Sequence, residues 1–68
     1  MFVIKVTMMG GRTAEQKAEL IHRLSAAAAR RLDWPLDDVR VIIYELAKDD
    51  WGIAGRSVTE RERDVQAP

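Results

Sequence analysis

Hydrophobic and polar residues follow three successive patterns along this chain. Residues 2–9 alternate with a period of two, which predicts a strand with an apolar face made by Phe2, Ile4, Val6 and Met8. From Thr13 to Leu32 the apolar residues recur at helical spacing in one stripe, which predicts a long amphipathic helix. Val39 to Leu46 is rich in β-branched residues and predicts a second strand. We therefore expect a right-handed β-α-β crossover with two parallel strands.

The ends of the predicted helix have their own signals. Thr13 and Gln16 form a capping box, in which each side chain accepts a hydrogen bond from the other residue's backbone N–H. Trp34 and Pro35 prevent the helix from continuing, because the residue before a proline is pushed out of the helical region. The helix is therefore predicted to connect the two strands as one unbroken element.

The predicted sheet has more apolar surface than one helix can cover. Both strands carry apolar or partly apolar side chains on both faces, and a parallel sheet with one face in water is rare. A chain of 68 residues also buries little surface by itself. We therefore expect the α/β protomer to assemble into oligomers, with itself or with a close relative.

The chain beyond the second strand predicts less structure. The segment Trp51–Gly55 has glycine spacing typical of a small loop or hairpin. Residues 57–68 are polar without apolar periodicity, and we expect them to be mobile unless a neighbouring subunit orders them. The chain is thus divided into a folded domain over residues 1–56 and a polar C-terminal tail over 57–68.

Composition excludes several classes of function. Eleven basic residues balance eleven acidic ones, which argues against general attraction to nucleic acid or to an anionic membrane. Cysteine is absent, and the single histidine, His22, has no partner at metal-ligand spacing, so we expect no disulfide and no metal site. The opening apolar run is too short for a signal peptide, and no stretch is long enough to span a bilayer. A cytoplasmic location is expected.

Three residues are candidates for chemistry. Arg40 lies in an otherwise apolar strand, where it either forms an ion pair with another subunit or binds a carboxylate in a pocket. Arg12 follows two glycines and precedes a helix, so it is either a solvated turn residue or part of an anion site. Trp51 either fills a core or interface, or forms the wall of a pocket.

The order of these segments resembles the 4-oxalocrotonate tautomerase family. The shared features run from Phe2 to about Gly55: a strand, then Gly-Arg-Thr-Ala-Glu-Gln-Lys, a helix, Asp-x-Pro-Leu, Val-Arg-Val-Ile-Ile, Glu-x-Ala-Lys and an aromatic-Gly-Ile. The resemblance implies β-α-β protomers that pair into four-stranded sheets and assemble into hexamers. It also implies a reaction without metal or organic cofactor, in which a proton moves between a carbon and an enol or dienol oxygen of a small 2-oxo acid.

The resemblance also implies roles for particular residues. Arg12 and Arg40 match arginines that hold the substrate's carboxylate and polarise its carbonyl, and Trp51 matches an aromatic wall. The implied surroundings of the substrate further include Phe2, Met9 and Asp38. The family's base is an amino-terminal proline, and Phe2 occupies that position here. Phe has no titratable side chain, and the amine of Met1 would lie about 3.3 Å farther along the strand.

Three functions remain open from the sequence. In the first hypothesis the chain is one subunit of a hetero-oligomer whose paralogous chain supplies the proline. In the second it is a homo-oligomer that binds small carboxylates without turnover, or that serves only as a structural assembly. As a third hypothesis, a homo-oligomer catalyses weak tautomerisation with the Met1 amine as base.

Overall fold

The computed structural model describes residues 1–66, and its elements follow the predicted order. They are β1 (Phe2–Met9), α1 (Ala14–Leu32), β2 (Val39–Leu46), β3 (Gly52–Ile53), β4 (Arg56–Ser57) and α2 (Val58–Gln66). Short 3-10 turns at Leu36–Asp38 and Lys48–Asp50 precede β2 and β3. The predicted α/β protomer, with one long crossover helix and a short C-terminal hairpin, is confirmed.

β1 and β2 form a two-stranded parallel sheet with α1 on one side. The register runs without interruption from Phe2 opposite Val39 to Met9 opposite Leu46. Side chains that face α1 are buried or half-buried, whereas most of those on the other side are exposed. We call this other side the open face, and it consists of Val3, Lys5, Thr7, Met9, Arg40, Ile42, Tyr44 and Leu46.

The first end of α1 is fixed by the predicted capping box, and the second end by contacts that were not predicted. The Thr13 hydroxyl accepts a hydrogen bond from the Gln16 N–H at 3.1 Å, and the Gln16 side chain accepts one from the Thr13 N–H at 3.0 Å. At the other end Asp33 adopts a left-handed conformation with φ 52°, and the Trp34 N–H donates to the Ala29 carbonyl at 2.9 Å. These contacts satisfy backbone groups that the helix itself leaves unpaired.

The core of the single chain is very small. Within the described residues only two hydrophobic side chains, those of Val39 and Val58, are buried. Large apolar side chains of the open face remain exposed, for example Ile42 at 40% and Tyr44 at 46%. The uncovered sheet face expected from the sequence is therefore present, and burying it requires protein from outside this chain.

The C-terminal segment differs from the expectation of a mobile polar tail. It forms α2, whose start is a second capping box: the Ser57 hydroxyl accepts from the Glu60 N–H at 3.1 Å, and the Glu60 carboxylate accepts from the Ser57 N–H at 3.2 Å. Arg56 adds ion pairs with Glu60 and Asp64. One apolar residue of this helix, Val58, is buried, and polar contacts hold the rest, so periodicity alone does not detect it. The domain boundary after residue 56 stays a prediction, and residues 67 and 68 lie outside the described part.

Neither helix within residues 1–66 has both the length and the apolar character that crossing a membrane requires.

Candidate functional site

A tight turn after β1 positions Arg12. The Gly10 N–H donates to the Leu46 carbonyl at 3.1 Å and so extends the pairing of the two strands by one step. Gly11 then has φ 115°, in a region that only glycine adopts without strain. Arg12 follows this turn and lies directly before the capping residue of α1. The turn thus places a cation close to the amino-terminal end of a long helix, where anions are stabilised.

A cleft of about 390 Å³ opens beside this turn. Its lining consists of Met8, Met9, Gly10, Gly11, Arg12 and Trp51. A second cleft of about 250 Å³ lies on the other side of Arg12 and is lined by Met8, Arg12, Gln16, Lys17 and Leu20. In the first cleft one guanidinium faces a lining of apolar side chains and glycine backbone. That combination suits the carboxylate end of a small organic acid.

Trp51 is held in place by its backbone. Its N–H donates to the Lys48 carbonyl at 3.4 Å, and its carbonyl accepts from the Val58 N–H at 2.8 Å. The side chain is half-buried at the start of the hairpin. The short turn before the hairpin and the first residue of α2 therefore both fix the aromatic wall of the cleft.

Arg40 lies at the opposite end of the sheet. It is opposite Val3 in the register, and its side chain is exposed on the open face, where the sequence indicated a buried strand position. Its Nη1 donates to the carbonyl of Asp37 and, at 3.4 Å, to that of Val39. The guanidinium is exposed because no element within residues 1–66 covers the open face. Its other donors remain available to a ligand.

The amino-terminus lies at the same end as Arg40. Met1 is 81% exposed, while Phe2 is half-buried and its ring centroid lies 6.3 Å from that of Trp34, with the rings inclined at 46°. Asp38 is exposed in the turn before β2, where its N–H donates to the Pro35 carbonyl at 3.0 Å. The Phe2 ring is therefore packed against an indole ring.

The predicted site residues consequently form two groups. One group, Met9, Arg12 and Trp51, lies where β1 ends; the other, Met1, Phe2, Asp38 and Arg40, lies where β1 and β2 begin. Seven residue steps separate Phe2 from Met9, which at about 3.3 Å per residue amounts to roughly 23 Å. A single chain does not bring the two arginines together around one small ligand.

The sequence did not identify several contacts near these groups. Lys17 and Glu45 form an ion pair that joins α1 to β2, and their side chains are only 28% and 33% exposed. Glu45 Oε2 also lies 3.4 Å from the point where a Cβ on Gly10 would stand, which is close to an ordinary contact distance. The alternation of side chains along β2 places Glu45 on the side that faces α1, and this is the one feature of the sequence that points to its ion pair with Lys17. For the contact between Phe2 and Trp34 the sequence contains no local signal.

The described side chains contain no cluster of three or more His, Asp or Glu residues arranged to hold a metal ion. One carboxyl group, that of Glu19, has a lowered pKa, because Arg23 donates a hydrogen bond to it and adds a favourable charge interaction. This pair lies on the exposed side of α1 and is a feature of the helix, outside both groups.

Comparison with known proteins matches the pattern found in the sequence. The family model for tautomerase enzymes matches residues 3–61. A probable tautomerase of Ralstonia nicotianae is 44% identical, covering 96% of this chain and 97% of the relative. A 2-hydroxymuconate tautomerase of Pseudomonas putida is 43% identical, covering 90% of this chain and 97% of the relative. The solved heterohexamer 4-oxalocrotonate tautomerase of Chloroflexus aurantiacus J-10-fl is 48% identical with a TM-score of 0.82, covering 88% of this chain and 97% of that chain. The chain therefore belongs to the tautomerase family, as a relative of the 4-oxalocrotonate tautomerases.

Proposed function

We propose that this chain is a subunit of an oligomeric, cofactor-free tautomerase that acts on small 2-oxo or 2-hydroxydienoate carboxylates. In this proposal it contributes Arg12, Arg40 and Trp51 to active sites whose base is the amino-terminal proline of a partner subunit. Membership of the family supports a tautomerase activity. The partner subunit, the substrate class and the residue roles are proposed.

The main support for this proposal is that the predicted site residues lie at opposite ends of β1. Arg12 and Trp51 lie at one end, and Arg40 and Phe2 lie at the other, roughly 23 Å away. Antiparallel association of two chains through strand edges would bring the end of one sheet next to the beginning of the other. The exposed apolar side chains of the open face favour packing of the paired sheets against further subunits, because that packing removes these side chains from water.

Each residue has a role that suits its surroundings. The guanidinium of Arg40 has donors left over after binding the Asp37 carbonyl, and its planar fork fits a carboxylate with two hydrogen bonds. Arg12, at its glycine turn, can stabilise negative charge that develops on the 2-oxygen as the proton leaves. Trp51 and Met9 exclude water from the cleft and so strengthen both interactions.

The missing component is a base. In the family the base takes the proton from the substrate's hydroxyl oxygen and returns it to a carbon, so one group with a pKa near neutrality is enough. Phe2 offers no such group, and its ring is engaged with Trp34. A relative at 48% identity forms a heterohexamer, which supports a second kind of subunit as the source of the proline.

A second candidate function is a homo-oligomer that works without proline. The observation in its favour is the 81% exposure of Met1, whose amine is the titratable group closest to the family's base position. Such an assembly would bind small carboxylates and either remain silent or tautomerise them slowly. Displacement of the amine by about one residue, or 3.3 Å, argues for low activity because catalytic groups tolerate little misplacement.

The test is co-expression with a proline-bearing paralogue under separate affinity tags. We expect a mixed oligomer by native mass spectrometry, and ketonisation of 2-hydroxymuconate that this chain alone does not catalyse. An Arg12→Ala chain in the same mixture is the matched control, because Arg12 lies at the end of β1 that such pairing brings to the partner's proline. It should lower kcat/KM at least tenfold, since a hydrogen bond to a charged group contributes about 1.5–3 kcal/mol. Equal turnover by this chain alone, or no association with any proline-bearing relative, would contradict the proposal.

A further inference from the structure

The contact between Phe2 and Trp34 connects the beginning of β1 to the end of α1. Phe2 is the first residue of β1, and its side chain points to the helix side of the sheet, where Trp34 lies immediately after α1. A centroid separation of 6.3 Å with inclined rings is within the favourable range for an aromatic pair. This is the only aromatic pair within residues 1–66.

From this contact we infer that Trp34 is a positioning residue for the candidate active site, an inference that rests on the proposed function. Its indole ring keeps Phe2 on the helix side and so leaves the space beside Arg40 on the open face free for a ligand carboxylate.

Trp34 is well fixed for this role. The preceding Asp33 has φ 52°, the Trp34 N–H is bonded to the Ala29 carbonyl at 2.9 Å, and Pro35 follows with φ −58°. A proline restricts the conformation of the residue before it, so the backbone of Trp34 has little freedom. The indole is 38% exposed and forms a firm wall at the surface against which the Phe2 ring packs.

Phe2 requires such a wall because it lies at a strand end. The preceding residue, Met1, lies outside β1 and is 81% exposed. Strand ends open more easily than strand centres. If the first residues of β1 detach and rotate about the strand axis, the Phe2 ring moves to the open face, where Val3 and Arg40 lie opposite each other. The ring would then occupy the ligand's space.

The chain contains one phenylalanine, so incorporation of 4-fluorophenylalanine gives a single fluorine resonance that reports on Phe2. We would compare the wild-type chain with Trp34→Ala and Trp34→Tyr. The matched control is Leu36→Ala, because Leu36 lies two residues away and is 58% exposed. We expect a shifted resonance in Trp34→Ala, a resonance close to wild type in Trp34→Tyr, and no change in Leu36→Ala. An unchanged resonance in Trp34→Ala would overturn the inference.

A second measurement tests the consequence for the ligand, with cis,cis-muconate as a dicarboxylate probe in calorimetry. We expect Trp34→Ala to weaken binding roughly three- to tenfold, which corresponds to the loss of one aromatic pair. Adding Phe2→Asn to that variant should restore binding, since no ring is left to occupy the space. If the double variant binds no better than Trp34→Ala, Trp34 has only a structural role. If wild type and Arg40→Ala bind muconate equally, the proposed function fails, whereas the fluorine resonances still decide where Phe2 lies.

Discussion

Replacing Phe2 with proline should convert this chain into an active tautomerase by itself. An initiator methionine is removed before proline, so the variant expressed from Met1 would begin with a free secondary amine where the proposed function requires a base. Arg12, Arg40 and Trp51 are unchanged, and the strand pairs from Val3 opposite Arg40 onward remain. A general base contributes about 10²–10⁴-fold, so we expect at least a hundredfold higher rate than the wild-type chain.

The substitution also has a cost in stability that can be worked out from the structure. Phe2 is half-buried and loses its contact with Trp34, 6.3 Å away between centroids. Loss of one aromatic pair and part of its buried area lowers the free energy of unfolding by about 1–3 kcal/mol. The loss is confined to one strand end, so the oligomer should persist and the melting temperature should fall by several degrees.

The assay is ketonisation of 2-hydroxymuconate followed by ultraviolet absorbance, with the amino-terminus verified by mass spectrometry. Phe2→Leu is the matched control, because it also removes the ring and yet retains Met1. It should lose the same stability and gain no activity. If Phe2→Pro carries an amino-terminal proline, is folded and oligomeric, and still shows no turnover, then Arg12, Arg40 and Trp51 do not surround the base position.

Three further predictions concern contacts that the structure shows directly. Glu45→Gln should lower the free energy of unfolding, measured by urea denaturation, by about 1 kcal/mol, because it removes the half-buried partner of Lys17. A Lys17→Met variant with the same free energy of unfolding as wild type would contradict this. Arg23→Ala should raise the pKa of Glu19 toward its ordinary value of 4.5 in an NMR titration. Because the pKa of Glu19 is lowered in the folded state, the pair stabilises α1 fully at a pH above 4.5, and this stabilisation is lost as the pH falls through the folded-state pKa. If Arg23→Ala leaves the pKa of Glu19 unchanged, Arg23 is not the cause of the shift. Ser57→Ala should lower the stability of α2 by about 1 kcal/mol and increase the hydrogen exchange rate of its backbone amides. Exchange rates equal to those of the wild-type chain would show that the cap is not needed.

The sequence predicts the β-α-β unit well because its rules are local. The capping box at Thr13, the two apolar periods and the glycine spacing after Trp51 each act within a few residues, and each has its counterpart in the structure. The helix α2 also has a local signal, the Ser57 to Glu60 capping box, but it has no apolar stripe to accompany it. Periodicity therefore detects elements that pack on a core and misses one that polar contacts hold.

The candidate site is less accessible to sequence reasoning for a physical reason. Arg12 and Arg40 are noticeable in the sequence because cations beside glycine turns or within apolar strands are unusual, but their separation depends on strand direction and register. The exposure of Arg40 depends on what covers the open face, and within residues 1–66 no element does so. The contact of Phe2 with Trp34 joins two residues that lie far apart in the sequence. No rule that depends on neighbouring residues predicts such a contact.

The central claim is that this chain provides Arg12 to an active site whose proline belongs to another subunit. The most direct measurement mixes the wild-type chain with a Phe2→Pro, Arg12→Ala variant, refolded together in equal amounts. The wild-type chain is expected to be inactive alone, and the variant to have at most about a tenth of the activity of the Phe2→Pro oligomer. In a random mixture half of the sites contain proline and half of those meet an intact Arg12, so activity should return to about a quarter of that of the Phe2→Pro oligomer. A mixture that forms oligomers and stays inactive would contradict the claim.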